Sequence, residues 1–308
     1  MQAIAIDEYG PADLLTLREL PDPPVGPDTV LVRTRAAGVN PVDWKIREGR
    51  LARAFPSHFP LVPGWDVAGV VVAAGPAVPG FAAGDEVIGY VRRDHIQYGT
   101  YAELVPAPER ALADRPVQGS WAQAAGLPLA GLTAYQALRL ARTGAGDTVL
   151  VHGASGGVGH LAVQIARALG ADRVIGTAGP DNHDFVRSLG AEPVAYGDGL
   201  LDRVRGLAPD GVDVALDLFG GAALDVSAEL LARPSRLVSI ADAERVARLG
   251  GSYVFVKPSS ADLGVLAGLV DAGRLTVHVA RTFPLAEAAA AQRLVEAGHV
   301  RGKVVLEV

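Results

Sequence analysis

The stretch that most constrains the fold runs from Thr148 to Gly159. Its first residues are apolar and β-branched, which is typical of a strand buried on both faces of a parallel sheet. A glycine-rich turn follows directly, and apolar residues then recur at helical spacing from His160 to Leu169. Strand, glycine turn and helix thus come in the order of a βα unit that binds a dinucleotide.

The glycines of this turn have separate uses. The three fingerprint positions hold Ala154, Gly156 and Gly159, with alanine in the first. Gly156 lets the backbone approach a pyrophosphate, and Gly159 lets the helix pack close to the strand. The helix N-terminus adds unpaired N–H groups and the positive end of its dipole. A tight βα turn without a ligand has the same spacing, but the context favours dinucleotide binding.

Composition narrows the class of protein. The chain has 308 residues, a formal net charge of -6 and no run of Lys or Arg, which argues against a nucleic-acid partner. Its length predicts about two domains. No apolar stretch is long enough to span a membrane, and the first residues do not resemble a signal peptide. We therefore expect a cytoplasmic protein that does not bind membranes.

The chain has no cysteine and seven histidines. A disulfide, a thiolate nucleophile and a cysteine-ligated zinc ion are therefore excluded. No two histidines have the i, i+4 spacing of a helical metal site. We predict no metal site, and surface or core positions for the histidines.

The first 35 residues alternate short β-like runs with turns, at residues 3–6, 14–20 and 29–34. This pattern predicts a small antiparallel or partly closed β domain ahead of the nucleotide domain. Asn40 precedes Pro41 and is expected to be extended, and Asp43 is placed to start a short helix. The alternative explanation of these residues is a plain helix cap.

Four segments together resemble the zinc-free NADPH:quinone oxidoreductases, the zeta-crystallin-like group of the medium-chain dehydrogenase/reductase superfamily. They are Gly38–Asp43, Pro63–Gly69, Gly84–Val87 and Leu127–Tyr135. The resemblance covers nearly the whole chain and implies an α/β protein with a GroES-like β-rich catalytic domain and a doubly wound Rossmann nucleotide-binding domain. It implies a discontinuous first domain, 1–124 with 279–308, a nucleotide domain at 125–278, and a homodimer.

The resemblance also bears on the chemistry. Zinc-dependent alcohol dehydrogenases of the superfamily have a cysteine near Asn40 and a histidine near Trp65, and this chain has neither. Without a Lewis acid to polarise a carbonyl, simple alcohol oxidation is disfavoured. The expected acceptors are quinones or α,β-unsaturated carbonyls, which take a hydride unaided.

The nucleotide domain should alternate strands and helices. We predict helices over 120–141, broken at Pro128, then over 160–169, 182–189 and 222–231. The first predicted strand begins at Thr148, in the first half of the stretch that ends at Gly159; the others cover 173–177, 193–196, 212–217 and 236–240, with a sixth at 275–279. The segment from Arg281 should open a helix with Pro284 in its first turn, and 299–306 should form a closing strand that rejoins the first domain.

In a doubly wound sheet the ligand lies at the carboxyl ends of the strands. The second strand ends in Thr177 without an acidic residue, which resembles NADPH-dependent relatives. Asp181 could repel a 2′-phosphate, whereas His183 or Arg187 could attract it, and we favour NADPH over NADH. The predicted cofactor-binding residues are Ala154, Ser155, Gly156, Gly157, Val158, Thr177, Gly179, Tyr196, Phe219, Gly220, Ser239, Ile240 and Lys303.

The predicted reaction is hydride transfer from NADPH to the acceptor, with NADPH as the only cofactor. Asn40, Asp43 and Thr133 are the predicted catalytic residues; the family uses the equivalent of Thr133 beside the nicotinamide, although a mid-helix hydroxyl bonded to a carbonyl is an equal alternative. The predicted substrate-pocket residues are Trp44, Lys45, Phe255 and Val256. The segment 254–257 could equally form a dimer edge or a buried strand.

The sequence is compatible with three hypotheses about function. The first is a reductase of quinones or enones, with a small-molecule acceptor as its partner. For an enone, Tyr90, Tyr98 or Tyr101 could donate a proton, although each is more often structural. The second is an enoyl thioester reductase. The third is a non-catalytic NADPH-binding protein with a sensing or structural role, as the lens crystallins of the family illustrate.

Overall fold

The computed structural model describes all residues, Met1 to Val308, and the chain forms two compact units. The first contains residues 1–132, 257–272 and 277–308, and the second contains 133–256 and 273–276. None of the helices is long and apolar enough to cross a bilayer.

The strands are β1 (Gln2–Ala5), β2 (Thr16–Glu19), β3 (Thr29–Val39), β4 (Ser57–Val62), β5 (Asp66–Ala74), β6 (Glu86–Tyr90), β7 (Ile96–Tyr98), β8 (Leu104–Pro108), β9 (Leu112–Asp114), β10 (Thr148–Val151), β11 (Arg173–Thr177), β12 (Glu192–Val194), β13 (Val214–Asp217), β14 (Leu237–Ser239), β15 (Ser252–Tyr253), β16 (Val279–Pro284) and β17 (Lys303–Glu307). The α-helices are α1 (Pro41–Arg47), α2 (Trp121–Gly126), α3 (Pro128–Leu140), α4 (Gly159–Ala168), α5 (His183–Ser188), α6 (Leu200–Leu207), α7 (Ala222–Leu230), α8 (Ala243–Arg248), α9 (Ser260–Asp271) and α10 (Ala288–Glu296). Short 3₁₀ helices cover Ala12–Leu14, Glu109–Ala111, Pro180–Asn182, Pro234–Arg236 and Leu285–Glu287.

The first unit is built on a seven-stranded sheet in the order β16-β17-β3-β5-β6-β9, with β8 also paired to β3. Valines that alternate along the strands form its core, among them Val30, Val32, Val67 and Val71. The closing strand β17 pairs antiparallel with β3, which brings the C-terminus back to the N-terminal domain. The predicted β-rich first domain and its returning last strand are confirmed.

The second unit contains a six-stranded parallel sheet in the order β12-β11-β10-β13-β14-β15. Counted from β10, this is the order 3-2-1-4-5-6 of a doubly wound dinucleotide-binding domain. The central strand β10 is buried beyond its first residue, as a strand covered on both faces must be. The predicted Rossmann architecture is confirmed, and the helix break at Pro128 is seen between α2 and α3.

Two predicted elements are wrong. The sixth strand of the parallel sheet is Ser252–Tyr253 and not 275–279, because β15 has only two residues and no apolar run that a pattern would reveal. The segment from Arg281 to Pro284 is strand and not helix, because it pairs with β17 at the edge of the other sheet, where a proline is tolerated. The helix that follows, α10, begins only at Ala288.

The boundaries of the two compact units differ from the domain boundaries predicted from the sequence. Helix α9 contacts β6 and β9 of the first unit, although it lies within the predicted nucleotide domain. Compactness is a different criterion from domain ancestry, so the boundaries 1–124 with 279–308, and 125–278, stay a prediction.

Candidate functional site

The glycine turn of the second unit lies between β10 and α4. The backbone N–H of Ala154 donates to the carbonyl oxygen of Thr177, 2.9 Å away, which ties the turn to β11. A Cβ on Gly159 would lie 2.0 Å from the Gly153 carbonyl oxygen, so only glycine closes this turn. A Cβ on Gly156 would meet only that oxygen, at 3.4 Å, so the space beyond Gly156 is open. This open approach at the start of a helix fits a bound pyrophosphate.

The neighbouring strands end at the same edge of the sheet, since β10, β11, β13 and β14 run parallel. At the end of β13, the buried carboxylate of Asp217 accepts hydrogen bonds from the backbone N–H groups of Phe219 and Gly220. The hydroxyl of Ser239 also donates a hydrogen bond to Asp217 Oδ2, at 2.6 Å. These bonds fix the turn that carries the Phe219 ring, which is 84% exposed. An exposed aromatic ring on a fixed turn is available to a ligand.

The structure therefore brings most of the predicted cofactor-binding residues to one edge of one sheet. Gly179 and Tyr196 lie together beside the end of β11, because a Cβ on Gly179 would come within 3.7 Å of the Tyr196 hydroxyl. Lys303 lies in the first unit instead. The sequence arguments assigned no role to Asp217, although a carboxylate at the end of a buried apolar strand was a usable signal.

His152, for which the sequence predicts an ordinary core or surface position, is a second residue of this edge. Its ring is buried between β10, β11 and α7, with Nε2 2.7 Å from the Ser227 hydroxyl and Nδ1 3.4 Å from that of Thr177. Burial lowers the pKa of His152 to about 4, although the nearby Asp217 carboxylate acts in the opposite direction. The imidazole is therefore neutral at pH 7.

In the first unit, a buried polar cluster forms around Asn40, at the start of α1. The Asn40 backbone N–H donates to Asp43 Oδ2 at 2.8 Å, as in one half of a capping box. The hydroxyl of Tyr101 donates to the same oxygen at 2.9 Å. The side-chain amide of Asn40 donates to Asp66 Oδ2 at 2.9 Å. Asp43 is thus held on one oxygen, while its Oδ1 has no hydrogen-bond partner in the protein.

Lys303 completes this cluster from the closing strand β17. Its ammonium group donates to the side-chain oxygen of Asn40 and, at 3.3 Å, to the carbonyl oxygen of Val39. Asp66 Oδ2 is 4.0 Å away. The Asn40 amide is therefore fixed in one orientation, with its oxygen on the ammonium and one N–H on a carboxylate. Its second N–H remains as a donor.

Three ionisable side chains of the cluster, Asp43, Asp66 and Lys303, are buried, and burial is the largest cause of the shift in each of their pKa values. Burial raises the pKa of Asp43 to about 7, while its two hydrogen bonds act in the opposite direction. Burial raises the pKa of Asp66 to about 6, opposed mainly by the Lys303 charge. The pKa of Lys303 itself is lowered by burial. Asp43 therefore exchanges a proton close to neutral pH.

The other predicted site residues divide between the two units. Trp44 and Lys45 lie on α1 beside the cluster, and the guanidinium group of Arg50 stacks on the Trp44 ring at 4.7 Å. Thr133 is buried on α3 in the second unit, where Val256 is also buried and Phe255 is half exposed. Sequence reasoning gave no role to Asp66, although a carboxylate that leads directly into a buried strand was a usable signal.

Comparisons with known proteins decide the family. A family model described as an alcohol dehydrogenase GroES-like domain matches residues 26–117, and one described as a zinc-binding dehydrogenase matches residues 169–306. The quinone oxidoreductase from Coxiella burnetii has a similar structure, with a TM-score of 0.87 at 35% identity, over 100% of this chain and 99% of its own. The chloroplastic NADPH-dependent alkenal/one oxidoreductase of Arabidopsis thaliana is 36% identical over 99% of this chain and 79% of its own length.

The chain belongs to the quinone oxidoreductase group of the medium-chain dehydrogenase/reductase superfamily. This confirms the family and the two-part fold predicted from the motifs. A mycobacterial protein solved in complex with NADPH also matches, with a TM-score of 0.85 at 29% identity over 100% of both chains.

The zinc in the description of the matched family does not fit this chain. It has no cysteine, and no three histidine, aspartate or glutamate side chains lie close enough together to hold a metal ion. No step of the chemistry proposed below therefore passes through zinc.

Proposed function

We propose that this protein is a reductase that transfers a hydride from NADPH to a quinone or an α,β-unsaturated carbonyl compound. The observation that carries the proposal is the 36% identity, over 99% of the chain, to a protein named as an NADPH-dependent alkenal/one oxidoreductase. The structural similarity to a quinone oxidoreductase at 35% identity supports the same class of acceptor.

The second unit offers residues that fit the cofactor. The open approach at Gly156 and the start of α4 would hold the pyrophosphate. Strand β11 ends at Thr177, which is followed by Ala178, and the strand carries no carboxylate. This end suits the 2′-phosphate of NADPH better than a ribose hydroxyl. Tyr196 and Phe219 present exposed rings at the same edge. When bound, NADPH supplies the hydride from its nicotinamide ring.

Residues of both units are proposed to act on the acceptor. From the first unit we propose Asn40 and Asp43 as catalytic residues and Trp44 and Lys45 as pocket residues, and from the second unit Thr133 as a catalytic residue and Phe255 and Val256 as pocket residues. Asn40 has one N–H left to donate to an acceptor carbonyl, because its other polar contacts are taken by Lys303 and Asp66. Asp43 would hold a proton near neutral pH, at the oxygen that has no protein partner.

The two acceptor classes need this proton to different degrees. A quinone that accepts a hydride becomes a stabilised phenolate, which solvent can protonate. An enone becomes an enolate, whose α-carbon gains more from a positioned acid. The proposal therefore predicts that Asp43→Asn slows enone reduction more than quinone reduction.

The test is the steady-state loss of reduced-nicotinamide absorbance with a para-quinone, a short alkenone and an enoyl thioester, each with NADPH and with NADH. The matched variants are Gly156→Ala and Gly206→Ala. A Cβ at Gly156 enters the space for the pyrophosphate, whereas at Gly206, on α6, it meets nothing within 4 Å. We expect turnover of quinone or alkenone, faster with NADPH, lost in Gly156→Ala and kept in Gly206→Ala.

Other outcomes of the same assay separate the alternatives. Turnover of the thioester alone would favour an enoyl reductase. NADPH binding without turnover of any acceptor would favour a non-catalytic NADPH-binding protein. Either result would contradict the proposal.

We also propose that the protein is cytoplasmic and forms a homodimer. The Arabidopsis relative is named as chloroplastic, so location does not follow from family. Sedimentation equilibrium of the purified protein tests the dimer directly.

A further inference from the structure

The second unit contains a continuous chain of hydrogen bonds that starts inside the sheet and ends on the glycine turn. Its members are Ser227 on α7, His152 after β10 and Thr177 at the end of β11, and all three side chains are buried. The last link is the backbone N–H of Gly153, which donates to the Thr177 hydroxyl oxygen at 3.1 Å.

The direction of each bond follows from the groups available. The Ser227 hydroxyl donates its hydrogen to the carbonyl oxygen of Ala223 at 2.9 Å, so towards His152 it can only accept. His152 must then carry its proton on Nε2, which leaves Nδ1 as an acceptor. The Thr177 hydroxyl accordingly donates to Nδ1, while its oxygen accepts the N–H of Gly153.

Charge supports this arrangement. A protonated imidazole would have a donor on both nitrogens and could not accept from Thr177. The buried ring stays neutral at pH 7, as its lowered pKa requires, and the charged group that influences it is the Asp217 carboxylate of β13. The chain of bonds is therefore complete under physiological conditions.

From this geometry we infer that His152 and Thr177 are positioning residues, which hold the first glycine of the turn in the conformation that receives the pyrophosphate of NADPH. The Thr177 hydroxyl is committed to this chain and does not serve as a ligand to the cofactor. The inference rests on the proposed function, because it assumes that NADPH binds at this turn. It assigns Thr177, predicted above to bind the cofactor, to an indirect role.

The first experiment compares the dissociation constants of two ligands. NADPH spans the turn, whereas 2′-AMP carries the adenosine and 2′-phosphate but no pyrophosphate. Thr177→Val keeps the shape of the side chain and removes the hydroxyl, so we expect NADPH to bind about tenfold more weakly and 2′-AMP to bind within about twofold of wild type. Thr177→Ser restores the hydroxyl and should restore NADPH binding.

A second variant acts at a distance from the turn. Ser227→Ala removes the acceptor for His152 Nε2–H, and the residue lies at the far end of the chain of bonds. It should weaken NADPH binding by about threefold and leave 2′-AMP unaffected. Unchanged NADPH binding in both variants would overturn the inference. An equal loss for both ligands in Thr177→Val would also overturn it, since the hydroxyl would then act at the 2′-phosphate.

The tautomer provides a readout that does not depend on any ligand. Long-range ¹H–¹⁵N spectra of the ¹⁵N-labelled protein should show a protonated Nε2 and an unprotonated Nδ1 for His152 between pH 6 and 8. Protonated Nδ1 would overturn the inference even if NADPH binds normally. If wild type does not bind NADPH at all, the proposed function fails first, and the inference with it.

Discussion

Replacing Asp43 by asparagine should make the first unit more stable at alkaline pH and leave its stability at acid pH nearly unchanged. Asparagine matches the protonated carboxyl group in shape and charge. Its side-chain oxygen can accept the same bonds, from the Asn40 N–H and the Tyr101 hydroxyl. The variant therefore resembles the wild-type protein with a proton locked on residue 43.

The sign and size follow from the pKa difference. In the folded protein the pKa of Asp43 is raised to about 7 from an ordinary value of 3.8. Between these two values the folded state holds a proton that the unfolded chain releases, so wild-type stability falls as pH rises towards 7. At about 1.4 kcal/mol for each pKa unit, the loss approaches about 4 kcal/mol above pH 7. Asp66 titrates in the same direction in both proteins and largely cancels from their difference.

The assay is urea unfolding at pH 5, 6, 7 and 8, followed by tryptophan fluorescence. All three tryptophans, Trp44, Trp65 and Trp121, lie in the first unit with Asp43. We expect the difference in free energy of unfolding between the variant and wild type to grow, in favour of the variant, at each step in pH up to 7. The control is Asp210→Asn at an exposed position, which should stay within about 0.5 kcal/mol of wild type throughout. A constant difference between Asp43→Asn and wild type at all four values would refute the reasoning.

Four further substitutions test other parts of the structure. Lys303→Met removes the cation beside the buried Asp66 and should cost about 3–5 kcal/mol by urea unfolding, whereas adding Asp66→Asn to it should recover most of that loss. Gly159→Ala places a Cβ 2.0 Å from a backbone oxygen and should lower the melting temperature of the second unit sharply in calorimetry. Gly206→Ala, in open space on α6, should instead raise stability by about 0.5–1 kcal/mol.

Local rules explain which elements could be predicted from the sequence. The order of strand, glycine turn and helix at 148–169 depends on nearest neighbours in the chain, and β11 was predicted with the bounds Arg173–Thr177 that the structure shows. Strand β15 could not be predicted, because two residues carry no periodicity. For the segment 281–284, Pro284 and the alanines that follow predict a helix, whereas its actual pairing partner, β17, lies some 20 residues further on and leaves no local pattern.

In the candidate site too, residues close in sequence could be predicted and contacts between distant residues could not. Asn40 and Asp43 could be selected because they are three residues apart, at the spacing of a helix cap. The bond between Lys303 and Asn40 joins residues 263 positions apart, and no local pattern can predict it. Lys303 was selected through the family resemblance, for the cofactor, whereas the structure shows its ammonium group engaged by Asn40. The assignments of individual site residues stay predictions.

The most direct test of the central claim follows the hydride itself. The reaction of an alkenone with NADPH that carries deuterium at the transferable C4 position is analysed by mass spectrometry and NMR of the product. The account predicts one deuterium at the β-carbon of the saturated ketone, with the α-hydrogen derived from solvent. A saturated product without deuterium at the β-carbon, or no reduction of either alkenone or quinone, would contradict it.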